Sequence, residues 1–221
     1  IKKKIYLTIG NFCGGFKDLR EIDRFKDIAG MRKSEIKHFQ FRGSGQPGKM
    51  RIVSKMGNEW SFPYPEYGNL TGYMKYYRCR VCVDATAELA DISCGDAWLD
   101  RFEKMGSNWS IMLIRNKKLN NVISEMIKDN EISYEEITIN EIVKSQKGNL
   151  TSKKERFLSR NKFFRFLGKR LPNFDGGWNP VSSYSIFFEA KVYLSQLLMY
   201  FLEKVHFYWI VKIARIIFKK T

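Results

Sequence analysis

Histidine is scarce. The 221 residues contain only His38 and His206, and neither shows metal-ligand spacing. This removes the Ser–His–Asp and Cys–His arrangements of nucleophilic catalysis, and the paired acids lack the apolar context that marks a general acid. Cysteine is nearly as rare. Cys13, Cys79, Cys82 and Cys94 are too few and too unevenly spaced for a secreted disulfide scaffold. Long hydrophobic runs are missing too. The most apolar segment, residues 186–218, has Val192 to Leu202 as its longest uncharged run, 11 residues. A membrane-spanning helix needs roughly 20. The basic start, Ile1-Lys2-Lys3-Lys4, leads into only about five apolar residues, which fit a strand and not a secretion signal. Without export features, the glycosylation triplets at Asn69, Asn108 and Asn149 are chance matches. We therefore expect a reducing cytoplasm, with the inner membrane surface as a peripheral station. A start at Ile1 and not Met leads us to expect an N-terminally truncated or processed product.

Acidic residues are also in short supply, 23 against 39 Lys and Arg, a formal charge of +16. The imbalance is local. Residues 144–170 hold ten basic side chains against Glu155 alone, whereas the first 143 residues carry 23 basic and 19 acidic ones. Such a segment attracts an acidic partner, anionic lipid or nucleic acid; the alternative is a solvated basic linker. RNA recognition needs aromatic platforms on a sheet or groove, and none is patterned here, so nucleic acid is not expected as a partner. Hydrophobic content of 44% and aromatic content of 15% indicate a folded chain, one domain with or without an appendage.

Periodicity predicts a strand over 5–9, a glycine-rich turn over 10–15 and a helix over 18–29, with Leu19, Ile22, Phe25 and Ile28 on one face. A strand over 37–42 follows, then a hairpin of 49–55 and 59–62 turning at Met56-Gly57-Asn58. Residues 63–77 are a tyrosine-rich loop. Residues 110–115 are a strand, 120–129 a helix and 132–137 a short strand. This alternation favours an α/β domain, or α+β, with a mixed sheet and flanking helices. Three sections result: 1–143, a basic linker at 144–180, and an amphipathic helical tail at 181–221. The tail presents a wide apolar face to the domain, to a second copy or to a membrane surface.

Cys79-Arg80-Val81-Cys82 brings two thiolates onto one metal ion, one cluster or one redox dithiol; the pair alone does not decide which. Cys13 sits in a glycine turn whose backbone N–H groups can stabilise cluster sulfides or a phosphate. Phe41-Arg42-Gly43-Ser44-Gly45-Gln46-Pro47-Gly48 contains a formal Gly-x-Gly-x-x-Gly. Pro47 and the following strand pattern make it a β–β loop, since a dinucleotide turn must open a helix. Asp91 and Asp96 flank a short strand and can face one crevice, Gly95 permits close approach of a planar ring, and Trp98 can wall it. Asp84 and Glu88 can cap a helix start or bond to a metal shell. Cys94 is a core residue first and a substitute ligand second.

The run Cys79-x-x-Cys82-x-Asp84, followed by Ala90-Asp91-Ile92-Ser93-Cys94-Gly95-Asp96-Ala97-Trp98, resembles the signature of the beta subunit family of coenzyme F-420 (deazaflavin) hydrogenases and dehydrogenases, in its C-terminal domain. The likeness extends from Ile5 to Met126. It includes the turn at Cys13, the Arg42-Gly43 stretch, and Ser107 and Arg115 as lesser candidates. The resemblance implies a flavoprotein oxidoreductase that binds FAD beside an iron–sulfur cluster of 4Fe-4S type. It passes electrons to a deazaflavin or other two-electron acceptor, with a redox subunit or ferredoxin-like chain as partner. Cys13, Cys79 and Cys82 would be the metal ligands, one short of a complete set within this chain. Arg42, Gly43, Asp91, Ser93, Gly95 and Asp96 would line the flavin site. Gln46 stands where relatives often have an aromatic. The alternatives are a degenerate, non-catalytic scaffold of the same fold linked to surface-polysaccharide biosynthesis, or a membrane-surface module. Homo-oligomerisation through the C-terminal helices is a further expectation.

Overall fold

Two three-stranded sheets organise the first two thirds of the chain. A computed structural model describes residues 5–45, 47–64, 74–104, 109–172 and 183–204, without the side chains of 203 and 204. Gln46, Ser107, His206, most of the tyrosine-rich loop and the end of the tail lie outside the described residues.

The first sheet is mixed, as expected. β1 (Ile9–Asn11) runs parallel to β5 (Ile92–Asp96), and β6 (Ser110–Ile114) runs antiparallel to β5 on its other side. The second is a meander of β2 (Ile36–Gly43), β3 (Lys49–Ser54) and β4 (Glu59–Pro63). Its hairpin turns at Gly57, whose φ of 87° suits a residue without Cβ. Strict alternation in β3 buries Met50, Ile52 and Ser54. Met50 and Ile52 meet Phe25 of α1 (Arg20–Ile28) in one core cluster. A second cluster, Ala97, Leu99, Phe102 and Ile111, lies on the mixed sheet and takes in Phe12 and Ile142.

Four further helices complete the domain and its edge: α2 (Tyr77–Arg80), α3 (Asp100–Lys104), α4 (Lys117–Lys128) and α5 (Ile139–Ser145). Asn116 caps α4 by accepting from the Lys118 amide at 3.0 Å, and Thr138 with Glu141 forms a capping box on α5.

Several expectations need correction. The first strand begins at Ile9, not at residue 5; the amide and hydroxyl of Thr8 both bond to the Asp91 side chain, and only its carbonyl meets β5, accepting from the Ile92 amide at 3.2 Å. Leu19 is exposed, and the buried face of α1 runs through Glu21, Arg24 and Phe25. Residues 132–137 form no strand. Arg101 clamps that stretch at the Glu135 carboxylate and the Glu136 carbonyl, and no strand among the described residues pairs with it. The basic stretch is folded and helical over most of its described length. α6 (Lys147–Leu150), a π turn (Thr151–Glu155) and α7 (Phe157–Phe166) follow one another, and α7 packs on α8 (Ile186–Lys204). Phe163 and Phe164 of α7 enclose Val81 together with Ala190 and Tyr193 of α8. No described helix is long and apolar enough to cross a membrane.

Candidate functional site

The short bridge between Lys17 and Lys75 builds the site. It pairs residues 16–18 with 74–76, through Asp18 N to Met74 O and Tyr76 N to Phe16 O, and stacks Phe16 on Tyr76. The glycine turn of Cys13 thereby lies beside the single turn of α2 that carries Cys79. Cys79 Sγ accepts a hydrogen bond from the Phe16 amide at 3.2 Å. Cys82 lies just past α2, where the buried Lys153 ammonium stands 3.8 Å from its Sγ and also donates to the Asp84 carbonyl. Cys13 is exposed, and its amide donates to the Ala85 carbonyl at 3.0 Å. Among the described residues, no three His, Cys, Asp or Glu side chains converge as a metal-holding group.

The two sheets meet at Arg42. Its guanidinium bonds Asp96 at 2.7 Å, reaches the Pro47 carbonyl at 3.2 Å, and lies 4.7 Å above the Trp98 ring. Trp98 stacks on Tyr64 with centroids 5.0 Å apart. The Arg42–Asp96 pair is half-exposed, a geometry usually worth about 1 kcal/mol or less. Ser44, Gly45 and Gly48 all hold positive φ in the loop from β2 to β3, and no helix follows. Gly43 sits at the strand end, where a Cβ would collide with the Gln40 side chain.

The remaining residues of this group support that surface from behind. The fully buried Ser93 accepts from Arg115 at 2.8 Å, and the same guanidinium reaches the carbonyls of Thr86, Ala87 and Ala90. A Cβ on Gly95 would fall inside 3.0 Å of three Phe12 atoms, so the ring that Gly95 admits is Phe12. Cys94 is part-buried, and burial raises its thiol pKa. Asp84 accepts from the Glu88 amide and closes a turn where no helix begins, while Glu88 pairs with Lys154.

Asp91 accepts from the Thr8 amide, the Thr8 hydroxyl and Asn116, tying β1, β5 and the α4 cap together. Those hydrogen bonds, Thr8 first, hold its carboxyl below the ordinary value of 3.8. A group with a depressed folded pKa contributes its full stability above its unfolded value, and loses it as pH falls through the folded value. The melting temperature of Asp91→Asn is therefore expected to lie below that of the parent at neutral pH. The gap is expected to close below about pH 4, near the unfolded value. A gap that stays constant down to acid would show that the carboxylate charge is not what anchors Thr8.

The sequence pattern did not reveal the cations around the cysteine pair: Lys75, Arg80, Lys153, Arg156 and Arg160. Ser152, Arg156, Arg160 and Phe164 line one cavity and recur at four-residue spacing, a helical signal within the stretch expected to be a linker. Lys75, Arg80 and Lys153 carry no such pattern and are assembled only by tertiary contact.

Fold and site define an α/β domain that presents a cysteine pair in a basic setting beside a half-exposed arginine–aromatic surface. Residues 1–140 match the family described as the C terminus of the coenzyme F420 hydrogenase/dehydrogenase beta subunit, and the chain belongs to that family. The fold is similar to that of a chain in the F420-reducing [NiFe] hydrogenase complex from Methanosarcina barkeri, solved as a xenon derivative. The TM-score is 0.50 at 21% identity, over 77% of this chain and 55% of that one, so the match spans about half of the hydrogenase chain. No curated protein matches.

Proposed function

We propose that the chain is an electron-transfer subunit, or part of one, that holds an iron–sulfur cluster through Cys79 and Cys82 and an FAD beside Arg42. The observation that carries the reading is the polarity around the two sulfurs: an amide N–H donates to one and a buried ammonium faces the other. N–H groups beside cluster sulfurs are the hydrogen-bond partners a bound cluster uses. The fit is partial, because no third ligand converges on the pair among the described residues. Cys13, on the turn beside α2, is a candidate third donor, and a redox partner subunit or ferredoxin-like chain is the other source. Arg42 and Asp96 offer a polar edge beside Trp98, with Gly43 at the loop entrance. Asp91, Ser93 and Gly95 act as positioning residues behind them. When bound, a cluster supplies one-electron transfer and a flavin converts between one- and two-electron chemistry. A deazaflavin-like molecule is one candidate acceptor.

Protein purified without oxygen is expected to carry flavin, iron and sulfide. Cys79→Ser/Cys82→Ser is expected to lose the iron and sulfide and to keep its circular dichroism. A colourless protein that stays colourless after reconstitution with FAD, iron and sulfide would overturn this reading. It would favour the second one, a non-catalytic scaffold of the same fold. The Arg42 charge already matched by Asp96 supports that alternative.

The exposed Phe187, Leu194, Leu198 and Phe201 of α8 support a partner or second copy on this face, or contact with a membrane surface. Sedimentation and vesicle flotation of the same sample test it. A monomer that does not float would remove this part of the proposal.

A further inference from the structure

A cavity of about 260 Å³ opens between the cysteine turn and the two C-terminal helices α7 and α8. Its wall carries Lys17, Lys75, Arg80, Arg156 and Arg160; Lys17 pairs with Glu21 at 2.8 Å, and the one carboxylate on the wall itself is Glu189. That carboxylate is fully engaged, because Arg156 bonds both its oxygens at 2.6 and 3.0 Å. Arg160 is 7% exposed, and its Nη2 donates to the Ser152 carbonyl. Its Nε is buried with no hydrogen-bond partner. Arg80 reaches Gln196 on α8 and the Lys75 carbonyl. Burial, then the nearby Lys153 and Arg160 charges, lowers the Lys75 pKa, and burial first of all brings Arg160 down to about 10. Gathering cations in a half-closed space is costly unless an anion completes them. An adjoining cavity of about 360 Å³ shares Lys75, Arg80 and Tyr193 and adds Tyr77, Leu197 and Tyr200. The charged space thus continues into an aromatic one.

We propose that this paired cavity binds a phosphorylated small molecule, its di- or polyphosphate end held by Arg160, Lys75 and Arg80 and its organic body against Tyr77 and Tyr200. Guanidinium forks match phosphate oxygens in pairs, and Arg80 and Arg160 both line the charged cavity. Cys79 also lines the charged cavity, but most of the wall belongs to residues 152–200, beyond the family match that ends at 140, so this function goes beyond the redox reading.

Calorimetric titration of inorganic pyrophosphate and of ADP into the purified chain tests the inference. Both are expected to bind, ADP more tightly. Arg160→Gln and Lys75→Gln are each expected to weaken binding about tenfold or more, the usual scale for a lost charge-assisted hydrogen bond. Lys147→Gln, at an exposed lysine outside both cavity walls, is expected to bind as the parent does. Circular dichroism checks that each variant folds. Should Arg160→Gln not fold, Lys75→Gln and the parent titrations decide. Absence of binding for both probes at millimolar concentration overturns the proposal, as does parent-like binding by the two glutamine variants. Equal weakening in Lys147→Gln also overturns it, since the effect would then be one of net charge and not of the cavity.

Discussion

Glu189→Ala is expected to destabilise the protein by about 3–5 kcal/mol, the usual cost of removing one partner from a buried ion pair. Glu189 is buried on α8, and its carboxylate takes both bonds from Arg156 at the start of α7. The guanidinium of Arg156 also lies 4.9 Å from the Phe188 ring centroid. Removing the carboxylate leaves Arg156 and Arg160 side by side in a space with no other acidic side chain on its wall. For a chain of this size the loss corresponds to a fall of about 10 °C or more in melting temperature. Glu189→Gln keeps the shape and removes the charge, so it is expected to fall between parent and alanine variant. Thermal unfolding followed by circular dichroism gives the comparison. An alanine variant that melts with the parent would mean that the apolar cluster of Val81, Phe163, Phe164 and Tyr193 alone docks α8.

Gly95→Ala is expected to cost about 2–3 kcal/mol, at the upper end for overpacking a core. Gly95 lies on β5, the central strand of the mixed sheet, with a paired strand on each side. The strand cannot shift away from Phe12 without breaking its registers to β1 and β6. The new methyl group therefore displaces the Phe12 ring from the cluster of Ala97, Leu99, Phe102 and Ile111. Truncating that ring as well, in Phe12→Ala/Gly95→Ala, is expected to cost less than the sum of the two single changes, because the clash disappears. Strict additivity in this double-mutant cycle would contradict the packing argument. Flavin content measured on the same variants separates two roles of the glycine. If Gly95 serves packing alone, folded variants keep whatever flavin the parent carries.

Much of the second sheet was legible because its signals are local. Alternation in residues 49–54, Gly57 at the turn and helical spacing around Phe25 each fix a structure within a few residues of themselves. The cysteine pair and the aspartate–glycine run that follows it were legible for the same reason, as was the glycine loop at 43–48, where Pro47 rules out a helix start. Residues 132–137 misled because an alternating apolar pattern specifies an extended chain and not a partner strand, and Arg101 took up that stretch instead. The segment at 144–170 misled because its net charge concealed a helical repeat whose cations face inward.

By itself, the sequence determined the strands and turns with local periodicity, the two-residue spacing of Cys79 and Cys82, and the placement of positive charge late in the chain. Tertiary structure alone decided which partner each polar group took. Asp91 went to Thr8 and Asn116, Arg42 to Asp96, Gly95 to Phe12, and Arg156 to Glu189. A side chain's chemistry restricts its possible partners but does not select among them. The choice depends on which distant segments packing brings into hydrogen-bonding range, and contacts between residues 42 and 96 or 156 and 189 have no signature in local sequence.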